Sequence, residues 1–189
     1  MLRTILLSVG LALTTAHELD IHVTRLAGGR WTGPVPVSKD DWQFPACPVN
    51  GPALSARGRN VAVAYFQAKD GKPKSLVAFS SDAGQTFGTA IRLDEESSLG
   101  RVDVEMLPDG SAAAAYIDLA ANRAEFRVKR VQPGGAASSP VTIANLASDR
   151  SSGYPRMALH NGELVFAWVD RDGGSSVRTA FARLGGGIR

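Results

Sequence analysis

Cysteine is almost missing from this chain of 189 residues: Cys47, within Pro45-Ala46-Cys47-Pro48, is the only one. No intrachain disulfide can form, and without an identifiable histidine partner Cys47 reads as a packed or idle thiol rather than a nucleophile. Histidine is scarce too, and His17, His22 and His160 have no metal-ligand spacing, so neither a metal nor a cofactor is expected. No apolar run is long enough to span a bilayer. Basic residues are not clustered: 21 Lys and Arg are interspersed with 18 Asp and Glu for a formal charge of +3, which argues against a nucleic-acid partner. Helical periodicity is missing from Leu19 onward. What the chain does have is a hydrophobic content of 44%, enough for a core, and 20 Gly and 10 Pro scattered as many short strands and turns require.

Residues 1–16 read differently from the rest. Arg3 supplies a short positive region, Ile5 to Leu13 a mostly apolar run and Thr14-Thr15-Ala16 a small-residue ending. The favoured expectation is a secretory signal cleaved near Ala16, which places the protein outside the cell or in a periplasm. A buried first strand, or a misassigned start codon, is the alternative.

Beyond it the chain is a succession of short strand candidates. Three segments repeat: Gly51 to Tyr65, Asp103 to Tyr116 and Pro155 to Trp168. Each reads as strand, tight turn, strand, with Arg57-Gly58, Asp109-Gly110 and Asn161-Gly162 at the turns; in the last two both central residues are expected at positive φ. Tyr65, Tyr116 and Trp168 end the second strands and are expected at equivalent sites. Ala62, Ala64, Ala112 to Ala115 and Ala167 suit positions crowded between packed sheets. The interval of about fifty residues is that of blade-type repeats with four strands each. The expected fold is therefore all-β: a β-propeller of four-stranded antiparallel blades over 19–184, with two full blades (51–93 and 101–146) and two partial ones (19–38 and 154–184). Asp94-Glu95-Glu96 is expected as a solvated loop between blades.

Between two strand-like runs, Ser75 to Ser80 and Thr89 to Leu93, lies Phe79-Ser80-Ser81-Asp82-Ala83-Gly84-Gln85-Thr86-Phe87. The Asp side chain can accept backbone N–H groups in a turn, Gly permits positive φ, and the last aromatic can fold back as a plug. Ser80, Asp82, Gly84, Thr86 and Phe87 resemble the Asp box of sialidase-type β-propellers. Thr24 to Trp31 keeps the hydroxyl, Gly and aromatic of that pattern but has Leu26 for the Asp and Arg30 for the Thr; it reads as a degenerate copy or a chance Gly-Gly hairpin. The resemblance implies a structural, peripheral role for the box. It also implies a six-bladed ring, on the order of 300 residues at about fifty per blade, so the chain is expected to be a partial or truncated copy, or a protomer whose ring another copy completes.

In such a blade the 1–2 and 3–4 turns share one end, which sets the box opposite the end where inner strands begin. The candidate ligand-facing residues at that second end are Arg101, Asp103, Tyr154, Arg156, Asp118 and Asp170, with Asp41, Trp42 and Cys47 before the first repeat. The resemblance implies three arginines for a substrate carboxylate, a Tyr–Glu nucleophile pair and an acid/base Asp. Arg101 and Arg156 match two such arginines and Tyr154 a phenol. There is no Arg-Ile-Pro motif, assignable third arginine or Tyr–Glu pair, so no catalytic residue is assigned, and polar capping of strand ends is the competing reading. The expected function is a noncatalytic propeller module binding glycan or protein. The alternatives are an exo-sialidase-type glycosidase completed by another chain, and an assembly scaffold.

Overall fold

The computed structural model describes residues 6–13, 19–43, 49–120, 123–171 and 174–183. Among them the regular structure is all strand apart from two 3-10 turns, Lys69–Gly71 and Arg150–Ser152, as the lack of helical periodicity leads one to expect. The strands form four antiparallel sheets in chain order. In the first, β2 (Leu19–Ala27) pairs with β1 (Leu6–Leu13) on one edge and with β3 (Arg30–Trp31) and β4 (Val35–Pro36) on the other. The ladder from Leu6↔Leu26 to Leu13↔Leu19 has no break. The remainder of 1–16, with His17, lies outside the described residues, as do Cys47 and Leu184.

The second sheet runs β5 (Ala53–Arg57), β6 (Asn60–Gln67), β7 (Lys74–Ser80) and β8 (Ile91–Arg92), each paired with the next. The third repeats that order with β9 (Ser98–Met106), β10 (Ala112–Ala120), β11 (Arg123–Val131) and β12 (Val141–Leu146). The fourth has three strands, β13 (Arg156–His160), β14 (Glu163–Asp170) and β15 (Ser176–Arg183). Two four-stranded meanders flanked by incomplete sheets form the expected partial propeller. Among the described residues no fourth strand covers the edge of β15.

The hairpin turns follow their residues, with one correction. Asn161 and Gly162 both have positive φ, 49° and 79°, in a two-residue turn closed by His160↔Glu163. At Asp109-Gly110 only Gly110 is positive, at 85°. Pro108 begins that turn, which the Gly110 N–H closes on the Leu107 carbonyl at 3.1 Å; Pro favours a type I turn, which leaves the left-handed position to the glycine that follows. The chain between Thr24 and Trp31 is an ordinary hairpin: Gly28 and Gly29, at 61° and 78°, are its two loop residues, and Ala27↔Arg30 and Leu26↔Trp31 close it.

The core lies between sheets. Ile21, Val23 and Val37 of the first pack on Val61, Val63 and Tyr65 of the second. Ala62, Ala64, Val77 and Phe79 of the second meet Val104, Ala114 and Tyr116 of the third. Ala113, Ala115 and Phe126 of the third meet Met157, Leu164 and Phe166 of the fourth. Strands β6 and β10 are thus covered on both faces, and their alanines let neighbouring sheets approach closely. Tyr65, Tyr116 and Trp168 each turn toward the preceding sheet, as the repeat predicts. Phe126 meets Phe166 edge to face at 5.9 Å between centroids, worth roughly 0.5–1.5 kcal/mol beyond area burial. The other face of the fourth sheet stays open: Val177 is 73% and Phe181 47% exposed.

One expectation about loops is overturned. Asp94 is buried, not solvated. Its Oδ1 accepts the Ser75 N–H at 2.7 Å and its Oδ2 the Arg92 Nε at 2.9 Å. A two-residue β8 leaves the Ser75 N–H without a strand partner, and the carboxylate supplies the missing acceptor.

Candidate functional site

The loop from β7 to β8 is tied to the end of the sheets that carries the β5–β6 turn, because the Ala83 N–H donates to the Arg59 carbonyl at 2.8 Å. Both Asp82 oxygens are used inside this loop. Oδ1 accepts the Gln85 N–H at 2.8 Å, the Thr86 N–H at 3.0 Å and the Ser80 hydroxyl at 2.7 Å. Oδ2 accepts the Thr86 hydroxyl at 2.6 Å. Ser80 Oγ in turn accepts the Gly84 N–H at 2.9 Å. The Thr86 hydroxyl and N–H, followed by the Ser80 hydroxyl, hold the Asp82 carboxyl well below the usual range. Ala83 and Gly84 reverse the chain at φ of 64° and 77°, and Phe87 folds back onto the core between the first two sheets.

The inner strands begin at the opposite end. There β9 bulges: Ala115↔Asp103 is followed by Ile117↔Gly100, so Arg101 and Val102 together oppose Tyr116. Gly100 has φ of 74° and Arg101 of 53°. A Cβ on Gly100 would lie 2.8 Å from the Phe66 ring and 2.9 Å from Asn50, so only glycine fits. Asn50 holds the bulge from both sides, accepting the Arg101 N–H at 3.2 Å and donating to the Leu99 carbonyl at 3.1 Å. The bulge aims Arg101 across to the fourth sheet. Its guanidinium lies 5.6 Å from the centre of the Tyr154 ring and donates to the Ser152 hydroxyl and, at 3.0 Å, to the Asp149 carbonyl. The Tyr154 hydroxyl donates to the Val49 carbonyl.

Next to this pair, Asp103 is buried and its carboxylate joins two sheets. Oδ1 accepts the Val104 N–H at 3.0 Å; Oδ2 accepts the Met157 N–H at 2.8 Å and lies 3.2 Å from Arg156 Nε. Burial pushes the carboxyl up, against the opposing pull of the Met157 N–H and of Arg156. The Arg156 side chain itself is 73% exposed.

Thus Arg101 and Tyr154 come together, as do Asp103 and Arg156. Asp118 and Asp170 belong to separate groups. Asp118 pairs with Arg127 at 2.7 Å, and Arg127 also holds Glu125 at 2.7 Å. The other Asp118 oxygen has no partner among the described residues. Burial pushes this carboxyl up too, against the pull of Arg127. Asp170 lies 3.2 Å from Arg178 Nε beside a small cleft of about 220 Å³ shared with Asn145 and Arg171. Asp41 is 3.8 Å from Lys69 in an exposed pair, and Trp42 is buried edge-on against Phe66, 5.9 Å between centroids. Sequence reasoning missed Asn50, Ser152 and Gly100. Of these only Gly100 carried a readable signal, since a glycine inside a strand marks a bulge or a close backbone approach.

Among solved structures the chain is similar to the GH43 BlXynB protein from Bacillus licheniformis, with TM-score 0.56 and 13% identity over 95% of this chain and 38% of that one. It is similar to xylan beta-1,4-xylosidase from Bacillus halodurans C-125, TM-score 0.55, 10% identity, over 93% of this chain and 39% of that one. A thermostable family-43 glycoside hydrolase matches with TM-score 0.51 and 12% identity over 96% of this chain and 71% of that one. The fold is a propeller-type fold shared with glycoside hydrolases. The chain spans about two fifths of the first two proteins. No family model matches it, and no curated protein does. No helix among the described residues is long and apolar enough to cross a membrane, and no group of three His, Cys, Asp or Glu among them is placed to hold a metal ion.

Proposed function

We propose that the chain is a noncatalytic propeller module of the sialidase-like, Asp-box type, and that it binds a carboxylate-bearing glycan at the end where Tyr154 and Arg156 lie. One observation carries this reading: Tyr154 is 52% exposed yet fixed through its hydroxyl by the Val49 carbonyl and flanked by the Arg101 guanidinium. An aromatic platform ordered before binding loses little entropy when a sugar ring stacks on it. Arg156, two residues on and largely exposed, offers a guanidinium suited to a carboxylate. The loop geometry at Asp82 supports the Asp-box assignment.

Where the protons can go supports binding over turnover. A tyrosine nucleophile needs a neighbouring base, and the group holding the Tyr154 hydroxyl is a backbone carbonyl, which is not one. The Asp103 oxygens are engaged by two backbone N–H groups and Arg156. In a calorimetric titration 3′-sialyllactose should bind and lactose much more weakly, with Tyr154→Ala and Arg156→Ala each reducing affinity about tenfold. Hydrolysis of a fluorogenic sialoside, lost in Arg156→Ala, would establish the exo-sialidase instead. Equal binding of the two sugars would end the proposal.

A second reading concerns assembly. The edge of β15, which no strand among the described residues covers, and the exposed Val177 and Phe181 favour a second copy that continues the sheet array, because stacked blades normally close into a ring. Light scattering at increasing concentration should then report a dimer, and Phe181→Lys should return it to a monomer.

A further inference from the structure

We propose a second binding site, for a neutral oligosaccharide, in the cleft between the second and third sheets at the end that carries the Asp82 loop. The cleft is about 490 Å³, within the range of roughly 300–1,000 Å³ usual for small-molecule sites. Its boundary is set by the fold. The β7–β8 loop stands on one side, and on the other stand the 1–2 and 3–4 turns of the third sheet, at Asp109-Gly110 and Gln132-Pro133.

Three features identify the ligand class. Phe87 is half-buried and offers an apolar edge to the cleft, with Phe79 and Met106 forming its buried floor; a partly exposed aromatic suits the C–H face of a pyranose. Asn60, Thr89 and Gln132 are exposed at its rim and bring two amides and a hydroxyl, the donors and acceptors that sugar hydroxyls pair with. Charge is cancelled at the site. Asp82 spends both oxygens inside its own loop. Asp109 accepts the Ser111 hydroxyl at 2.6 Å on Oδ1 and is paired with Arg130 through Oδ2. Asp109 is the only charged side chain among the described residues that line the cleft, and it is already paired, so the lining offers a charged ligand no unpaired counter-charge, whereas a neutral polyol needs none.

The shape favours a chain of sugars over a single ring. A shallower depression of about 290 Å³ shares Gln132 with the cleft and runs along the β11–β12 turn to Ser138. A peptide would be held mainly by backbone pairing, and the Phe79 carbonyl beside the cleft is already taken by the Gly88 N–H at 2.9 Å.

The test uses the full chain and three probes, xylohexaose, cellohexaose and maltohexaose, titrated separately while backbone amide shifts are followed by NMR. At least one should shift the amides of the Asp82 loop and of Gly110 and Gln132, leaving those around Tyr154 in place. Gln132→Ala and Asn60→Ala should each weaken binding about fivefold, the effect of one net hydrogen bond. Thr89→Arg should fill the cleft and abolish binding. All three positions are exposed, so the variants keep the fold, and unchanged melting checks this. No shift with any probe overturns the site, as does binding that survives Thr89→Arg or an uncharged hexapeptide that competes equally. Loss of binding in Tyr154→Ala would mean that the sugar sits at the other end. Because 3′-sialyllactose reports on the Tyr154 end and these neutral probes on the cleft, either site can fail without the other.

Discussion

Asp103 and Arg156 hold the same position in successive sheets, opposite Ala115 and Ala167, and they bond each other across the gap between those sheets. The second sheet has Ala53 at that position, opposite Ala64, so the pair exists at one boundary of the array. Its two members are unequal. Asp103 is buried and also receives the Met157 N–H, while Arg156 extends into solvent. Asp103→Ala would leave that N–H without its acceptor and should cost about 1–3 kcal/mol. Arg156→Ala removes an exposed ion-pair partner and should cost about 0–1 kcal/mol. Urea denaturation of the two variants compares them directly; an Arg156→Ala loss as large as that of Asp103→Ala would contradict this division.

Asp82 provides a pH test. Its folded carboxyl titrates below the usual range because the Thr86 and Ser80 groups bond the charged form. The stability it supplies is therefore complete above the unfolded carboxylate value, about 4, and is lost as pH falls through the folded value. Asp82→Ala should lower the melting temperature at neutral pH, with the gap to the parent protein narrowing as the solution is acidified. Sialyllactose binding at the Tyr154 end should be unchanged at neutral pH. A gap that widens on acidification would overturn the role given to this carboxylate.

Gly100 tests the bulge that aims Arg101. Alanine there must adopt a φ of 74° and place its Cβ 2.8 Å from Phe66. Gly100→Ala should cost about 2 kcal/mol or more, combining the left-handed backbone penalty with overpacking. Gly51→Ala, where a Cβ meets nothing within 4 Å at an ordinary φ, should change stability little. Chemical denaturation of both variants, with amide shifts at Asn50 and Arg101 followed by NMR, checks the assignment.

The repeat was legible in the chain because each sheet needs the same local chemistry. Glycine turns permit left-handed backbone, runs of alanine mark strands covered on both faces, and an aromatic recurs at the equivalent position of each second strand, within the strand rather than at its end as the sequence alone suggests. These constraints act within a dozen residues, so Asn161-Gly162, Ala112 to Ala115 and Tyr116 announce their places before any folding partner is known. The Asp82 loop is readable for the same reason, since every group that Asp82 bonds lies within four residues of it.

Relations between sheets were decided by the tertiary structure alone. Arg101 and Asp103 were readable as polar residues near a strand start, but their fates diverge because a bulge intervenes: Arg101 reaches over Tyr154 and Asp103 turns inward to Met157 and Arg156. Asp94, in an acidic run that reads as solvated, is buried because a short β8 leaves a neighbouring N–H to be satisfied. The cleft beside Phe87 arises from loops of two sheets, Asn60 and Gln132 being more than seventy positions apart in the chain. Periodicity and turn chemistry are local and leave their mark in sequence, whereas the partners of a buried charge and the walls of a cleft are set by which sheets stack together.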